Sequence, residues 1–305
     1  VAPPAPTTMT SALSGRGVVM ARNCNRFYYR AVTSQDSAAS TIEAAVARLL
    51  RAQSDGVPCA PVRDLIGTDD LPAAYAVQQG LVRARLAGGA TVVGRKIGAT
   101  SEAVQRQLGV DQPDFGYLLD DMDVSAGALA GADPISMRTL LQPRVEGEVA
   151  FVLGRDVAPP DGAEITLETV RDAVEVALPA LEIVDSRIAD WAIGFTDTVA
   201  DNASSGLFVV GRDGLALDEL EPRDVTMSLT INGEERSSGN GAACLGDPLE
   251  ALRWLAVQAQ RFGDPLRAGH LILSGALGPF VPFAPGDRVV ATISGFAPLS
   301  VQFEE

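Results

Sequence analysis

The spacing of apolar residues changes character about halfway along the chain. From Thr41 the repeat is helical: TIEAAVARLLRAQ puts Ile42, Ala45, Val46, Leu49 and Leu50 on one face. Glu43 falls in the first turn and arginines follow later, the order the helix dipole favours. DLPAAYAVQQGLVRARLAGG predicts a second helix, with Asp70 as N-cap, Pro72 in the first turn and Gly88 and Gly89 at the stop. ATVVGRKIGAT predicts a strand around Val92 and Val93 that runs into a glycine-bearing loop carrying Lys96. TSEAVQRQLG predicts a short helix capped by Thr100 or Ser101 and ended by Gly109.

Beyond residue 140 the period shortens to that of strands. VEGEVAFVLG, PALEIVDS, GLFVVG, VTMSLTING, HLILSG, DRVVATIS and APLSVQF are the candidates, and Asn232-Gly233 is a hairpin signal. Helices are predicted near TLETVRDAVEVA and at DPLEALRWLAVQAQRFG. Clustered strands with few, peripheral helices predict a mixed α+β fold built on a rolled or barrel-like sheet. The division expected is a single domain over 41–305, with a helical part to residue 115 and a β-rich part from 116. The first forty residues are rich in Pro, Ala, Ser and Thr, carry arginines and have Asp36 as their only acid. They predict a disordered extension, although arginine-bearing, acid-poor leaders are also the composition of transit peptides.

Composition narrows the function classes. A formal charge of −15 argues against nucleic acid, which needs basic patches. Cys24, Cys59 and Cys244 are too scattered for a disulfide scaffold and suit a reducing cytoplasm, and a chain with one histidine, His270, is a poor candidate for structural zinc. No apolar run approaches the ~20 residues that span a bilayer.

The candidate chemistry lies in two places. If PRVEGEVAFVLG is a strand, Val145, Gly147, Val149, Phe151 and Leu153 share one face, and Glu146, Glu148, Ala150 and Val152 the other. Two neighbouring carboxylates on a covered face repel each other. Solvent exposure relieves that repulsion, and so does a divalent cation. PALEIVDSRIADW adds Glu182 and Asp185 in another apolar segment. Oxygen ligands without His or Cys select a hard ion such as Mg²⁺, Mn²⁺ or Ca²⁺.

The second place is GVDQPDFGYLLDDM. Asp120, Asp121 and Asp123 read as solvated turn formers, whereas Asp114 stands between Pro113 and Phe115. Lys96 is the only lysine among 24 basic residues and a natural counter-charge to Asp114 if the two loops meet. A lysine whose pKa burial lowers can shuttle protons, which arginine cannot.

VVGRKIGATSEAVQRQLGVDQPDFGYLLDDM, PRVEGEVAFVLGRD, ALPALEIVDSRIADW and DTVADNASSGLFVVG together resemble the 2-oxopent-4-enoate (2-hydroxypenta-2,4-dienoate) hydratases. These belong to the fumarylacetoacetate hydrolase superfamily, in the branch shared with 4-oxalocrotonate decarboxylases. The resemblance runs from about Thr41 to Phe303. It implies a mixed β-roll, Mg²⁺ or Mn²⁺ held by Glu146, Glu148 and Glu182, Asp185 in a supporting role, and Lys96 with Asp114 as the polar pair over the substrate. It also implies a homo-oligomer, a small 2-oxo or 2-hydroxydienoate acid as substrate, and a place in aromatic or sterol breakdown upstream of an aldolase. A decarboxylase on the same scaffold and a non-catalytic partner subunit are the rival readings. The carbon–carbon hydrolases of the superfamily use an early histidine, and the single histidine here, His270, stands at a strand entry and reads as structural. GNGAACLGDP reads as a loop ending in an Asp247 N-cap. Ser204 and Ser205 are candidates for lining the pocket.

Overall fold

The computed structural model describes residues 39–130, 134–160 and 163–305. The expected disordered extension lies almost wholly outside the described residues. From Thr41 to Glu305 the chain forms one contact unit. The described chain opens with helix α1 (39–55), α2 (Arg63–Ile66) and α3 (Leu71–Ala87). The Asp70 side chain accepts from the Ala73 amide at 3.0 Å, as its N-cap position requires. Strand β1 (Val92–Gly98), helix α4 (Glu102–Leu108), β2 (Asp114–Leu119), α5 (Ser125–Ala130) and β3 (Ile135–Ser136) follow. Next come β4 (Arg144–Leu153), α6 (Leu167–Ala173), β5 (Val174–Val184), α7 (Phe195–Ala200) and β6 (Ser205–Val210). The chain closes with β7 (Thr226–Ile231), β8 (Glu234–Asn240), α8 (Pro248–Arg261), β9 (Leu271–Ala276), β10 (Val281–Pro282), β11 (Arg288–Ile293) and β12 (Leu299–Glu304).

Two sheets organise these strands. The first has the order β2-β1-β9-β4-β5-β6, with β10 pairing β4, and the second runs β3-β12-β11-β7-β8. The architecture is the expected α+β. Strand β4 shows why the sheets stack: Val145, Val149, Phe151 and Leu153 are fully buried in a core shared with Leu229, Val289 and Val301 of the second sheet. A separate cluster joins Ala45 and Leu49 of α1 to Ala74 and Val77 of α3 and Val199 of α7. Asn232 and Gly233 both take positive φ, 53° and 85°, as the β7–β8 turn demands. Among the described residues no helix is long and apolar enough to cross a membrane.

Three local expectations change. Lys96 is on a strand, because β1 continues through Gly98 and lies between β2 and β9. The segment up to residue 115 thus supplies an interior strand of the main sheet, next to the edge strand β2. The acid-rich stretch after Pro113 also forms a strand, β2, in which all six residues are buried. The helix predicted over TLETVRDAVEVA ends at Ala173, where β-branched Val174 and Val176 join β5.

Gly94 permits the β1–β9 pairing, because a Cβ there would stand 1.8 Å from the Leu271 carbonyl oxygen. Gly94→Ala should therefore cost about 3 kcal/mol of stability or more by overpacking, read as a lowered denaturation midpoint.

Candidate active site

The period-two alternation of β4 and β5 builds the centre of the site. Glu146 on β4 sits directly opposite Glu182 on β5, and Glu148 follows one step along the same face. All three are buried, and each offers an oxygen within 4.8 Å of the others. Solvent does not relieve their repulsion. Four of their six oxygens are buried without a hydrogen-bond partner: Glu146 Oε2, Glu148 Oε1 and both oxygens of Glu182. The other Glu148 oxygen, Oε2, accepts from the Gly275 amide at 2.8 Å. Buried, unpaired carboxylate oxygens of this number and hardness fit a divalent oxygen-loving cation.

The triad's electrostatics follow from burial. Desolvation, then the neighbouring Glu182 charge, raises Glu146 to about 8, with Lys96 acting the other way. Desolvation and the charges of Glu182 and Glu146 raise Glu148 well above the usual carboxylate range. Glu182 is raised as well, by desolvation against the opposing pull of Lys96. Without a cation the cluster retains protons at neutral pH.

Lys96 projects from β1 beside this triad and is 2% exposed. Its Nζ lies 3.2 Å from Glu182 Oε1, within ion-pair distance but without hydrogen-bond alignment, and donates to the Ala203 carbonyl at 2.8 Å. Burial by itself lowers this ammonium's pKa. The charges of Glu182, Asp114, Glu146 and Glu148 together outweigh burial, so the pKa ends above its ordinary value. That reverses the lowered pKa expected from burial alone: with the triad bare, Lys96 is a held cation.

Asp114 opens β2 opposite Gly98 of β1. The Thr198 hydroxyl donates to its Oδ2 at 2.9 Å, and desolvation raises its pKa against the pull of Lys96. Gly98 marks how close Lys96 and Asp114 come. A Cβ there would meet Asp114 Oδ1 at 2.2 Å and Lys96 Nζ at 3.3 Å.

A narrow pocket opens onto these groups. Lys96, Asp114, Glu146, Thr198 and Ser204 supply its polar wall, and Val104, Val184, Trp191 and Phe280 its apolar one. The Ser204 hydroxyl is buried and unpartnered. Ser205 turns away and donates to the Asn202 carbonyl. A far larger cavity, about 670 Å³, lies among Leu49, Val82, Arg138, Arg187 and Leu207. It touches none of the five expected site residues, so the chemistry points to the narrow pocket.

The structure therefore brings Lys96, Asp114, Glu146, Glu148 and Glu182 together. Asp185 stands apart from the triad and accepts from the Leu141 and Gln142 amides. Asp120, Asp121 and Asp123 are exposed. His270 is half-buried, and its Nδ1 accepts from the Arg267 amide. Asp247 caps α8 through the Leu249 amide. Sequence reasoning missed Thr198, Gly98, Trp191, Phe280 and the Ala203 carbonyl. Of these only Gly98, two residues from Lys96, carried a local signal.

This sheet pair, with three buried glutamates at its centre, defines a class of protein. The profile of the fumarylacetoacetate hydrolase C-terminal domain matches residues 96–304, and the chain belongs to that family. It is 49% identical over 262 residues to the 2-keto-4-pentenoate hydratase of Paraburkholderia xenovorans, covering 86% of this chain and 94% of the relative. It is 43% identical over 264 residues to the 2-hydroxyhexa-2,4-dienoate hydratase of Comamonas testosteroni, covering 87% and 98%. Among solved structures, 4-oxalocrotonate decarboxylase from Pseudomonas putida G7, complexed with magnesium and adipate, superposes with a TM-score of 0.78. The two are 30% identical, over 87% of this chain and 97% of that one.

Because the bare triad retains protons, cation binding must release them. Calorimetry of Mg²⁺ or Mn²⁺ binding near neutral pH should show a buffer-dependent enthalpy and an affinity that rises with pH. A buffer-independent enthalpy would contradict the raised carboxylates.

Proposed function

We propose that the chain is a metal-dependent hydratase of 2-hydroxypenta-2,4-dienoate or a close analogue, yielding 4-hydroxy-2-oxopentanoate. The observation that carries this reading is the buried triad Glu146, Glu148 and Glu182 with Lys96 and Asp114 at its rim. The hydratase relatives at 43–49% identity support it over the decarboxylase.

Glu146, Glu148 and Glu182 would hold Mg²⁺ or Mn²⁺. When bound, the ion would supply Lewis-acid polarisation of a 2-oxo acid's carboxylate and C2 oxygen. The remaining work falls to the chain. Conversion of the dienol to the 2-oxo-3-enoate takes a proton from the C2 hydroxyl and places one on C5. Hydration then adds the water oxygen at C4 and a proton at C3. Lys96 and Asp114 are the proton carriers in this reading. The ammonium is a charged donor, and Asp114, raised by burial and held by Thr198, is a carboxylate able to exchange a proton with it. Val104, Val184, Trp191 and Phe280 form the apolar wall suited to the hydrocarbon end of the substrate and limit access of bulk water.

The same reading places the enzyme in the cytoplasm, where the free thiols of Cys59 and Cys244 are stable. It includes assembly as a homo-oligomer and, in aromatic or sterol breakdown, hand-over of the 4-hydroxy-2-oxo product to an aldolase. Both extensions rest on the family resemblance.

Purified protein should consume freshly generated dienol with Mg²⁺, stop with EDTA and produce 4-hydroxy-2-oxopentanoate. Release of CO₂ from 4-oxalocrotonate, with no dienol consumed, would instead establish the decarboxylase. Glu148→Gln should abolish the metal-dependent rate while the protein stays folded by circular dichroism. Lys96→Arg keeps the charge but not an exchangeable amine and should lose about 100-fold in turnover. Full activity in that variant would end the proton-carrier role of Lys96.

A further inference from the structure

Arg144 begins β4 and lies on the same strand face as Glu146 and Glu148, two residues before the first of them. Its guanidinium carbon stands 4.4 Å from the centre of the Trp191 ring and 4.9 Å from that of Phe280. Those rings lie against each other, centroids 5.5 Å apart, and both line the site pocket. The guanidinium thus rests on the pocket's apolar wall.

Other arginines with a structural role in this chain have carboxylate partners. Arg187 is paired with Asp201, Arg63 with Asp197 and Arg95 with Asp264. Among the described residues no carboxylate lies within ion-pair distance of Arg144, and no side-chain hydrogen bond ties it down. In a chain of charge −15, a half-buried guanidinium without an acid is unusual. Its two aromatic neighbours stabilise the cation without occupying its hydrogen-bond donors.

The charges of the site show what such a cation is for. Four buried carboxylates, Glu146, Glu148, Glu182 and Asp114, face one ammonium, Lys96. A divalent ion still leaves one negative charge in excess, and an incoming organic acid adds another. A planar guanidinium on the aromatic wall of the pocket offers that incoming acid an opposite charge and a matching geometry.

We infer that Arg144 is the carboxylate-binding residue of the pocket. Held on Trp191 and Phe280, it grips the carboxylate of a small 2-oxo acid lodged in the pocket. The inference rests on the proposed hydratase reading for the identity of the acid, but its test needs no turnover. It makes Arg144 a specificity determinant: the pocket selects anionic acids over their neutral counterparts.

The test is calorimetric binding of pyruvate and of its neutral amide, pyruvamide, to the full Mg²⁺-loaded chain. Wild type should prefer pyruvate. In Arg144→Gln the pyruvate Kd should rise about tenfold or more, the worth of one charge-assisted contact, while pyruvamide binding and Mg²⁺ affinity hardly move. Arg144→Lys should restore part of the preference, and serves alone if the glutamine variant folds poorly. KM for the dienol should rise more than kcat falls. An unchanged preference for pyruvate in either variant, or no preference in wild type, would overturn the inference. Wild type that prefers pyruvate through Arg144 yet leaves the dienol untouched would uphold the inference and remove the hydratase reading.

Discussion

Glu146 and Glu182 face each other across two adjacent strands of the main sheet, about 5 Å apart at their Cα atoms and buried. Much around them answers that repulsion. Lys96 enters from β1 with a single ammonium, the Gly275 amide takes one oxygen of Glu148, and the unpartnered oxygens point to a cation. Two stacked sheets make this tolerable, because apolar packing on the other face of β4 supplies cohesion that does not depend on the charges.

The backbone that serves Lys96 is itself strained. Asn202, Ala203 and Ser204 all have positive φ, between 52° and 55°, without a glycine among them. Left-handed backbone costs an L-residue about 1–2 kcal/mol. The neighbouring contacts offset this. Buried Asp201 accepts from Arg187 Nε at 2.5 Å, Asn202 exchanges two hydrogen bonds with the backbone of Tyr117, and Arg187 Nη1 donates to the Ser205 carbonyl at 2.7 Å. The distorted turn delivers the Ala203 carbonyl to Lys96 and the Ser204 hydroxyl to the pocket.

How far the sequence disclosed this depended on whether a feature was local. The ExE pair was legible because period two settles which face a strand residue takes. Lys96 stood out by its rarity, yet its strand was hidden, since Gly94 and Gly98 imitate a loop. Strand β2 was masked by Pro113, Asp114 and Gly116, residues that ordinarily mark turns. The change from α6 to β5 within TLETVRDAVEVA was invisible because its apolar spacing suits a helix until tertiary pairing overrules it. Thr198, Trp191 and Phe280 reach the pocket from distant segments, and nothing near them in sequence announces it. The left-handed turn at 202–204 lacked the glycine that would have flagged it.

One consequence concerns the chain's reactivity. Lys96 is its only lysine and is 2% exposed in the folded state. The side-chain amine chemistry of the whole molecule is therefore confined to one atom, sheltered in the pocket. Acylating reagents find no lysine on the described surface, so modification of Lys96 reports how often its shelter opens. The residue can thus serve as a built-in clock for breathing of this part of the fold, with no engineered label.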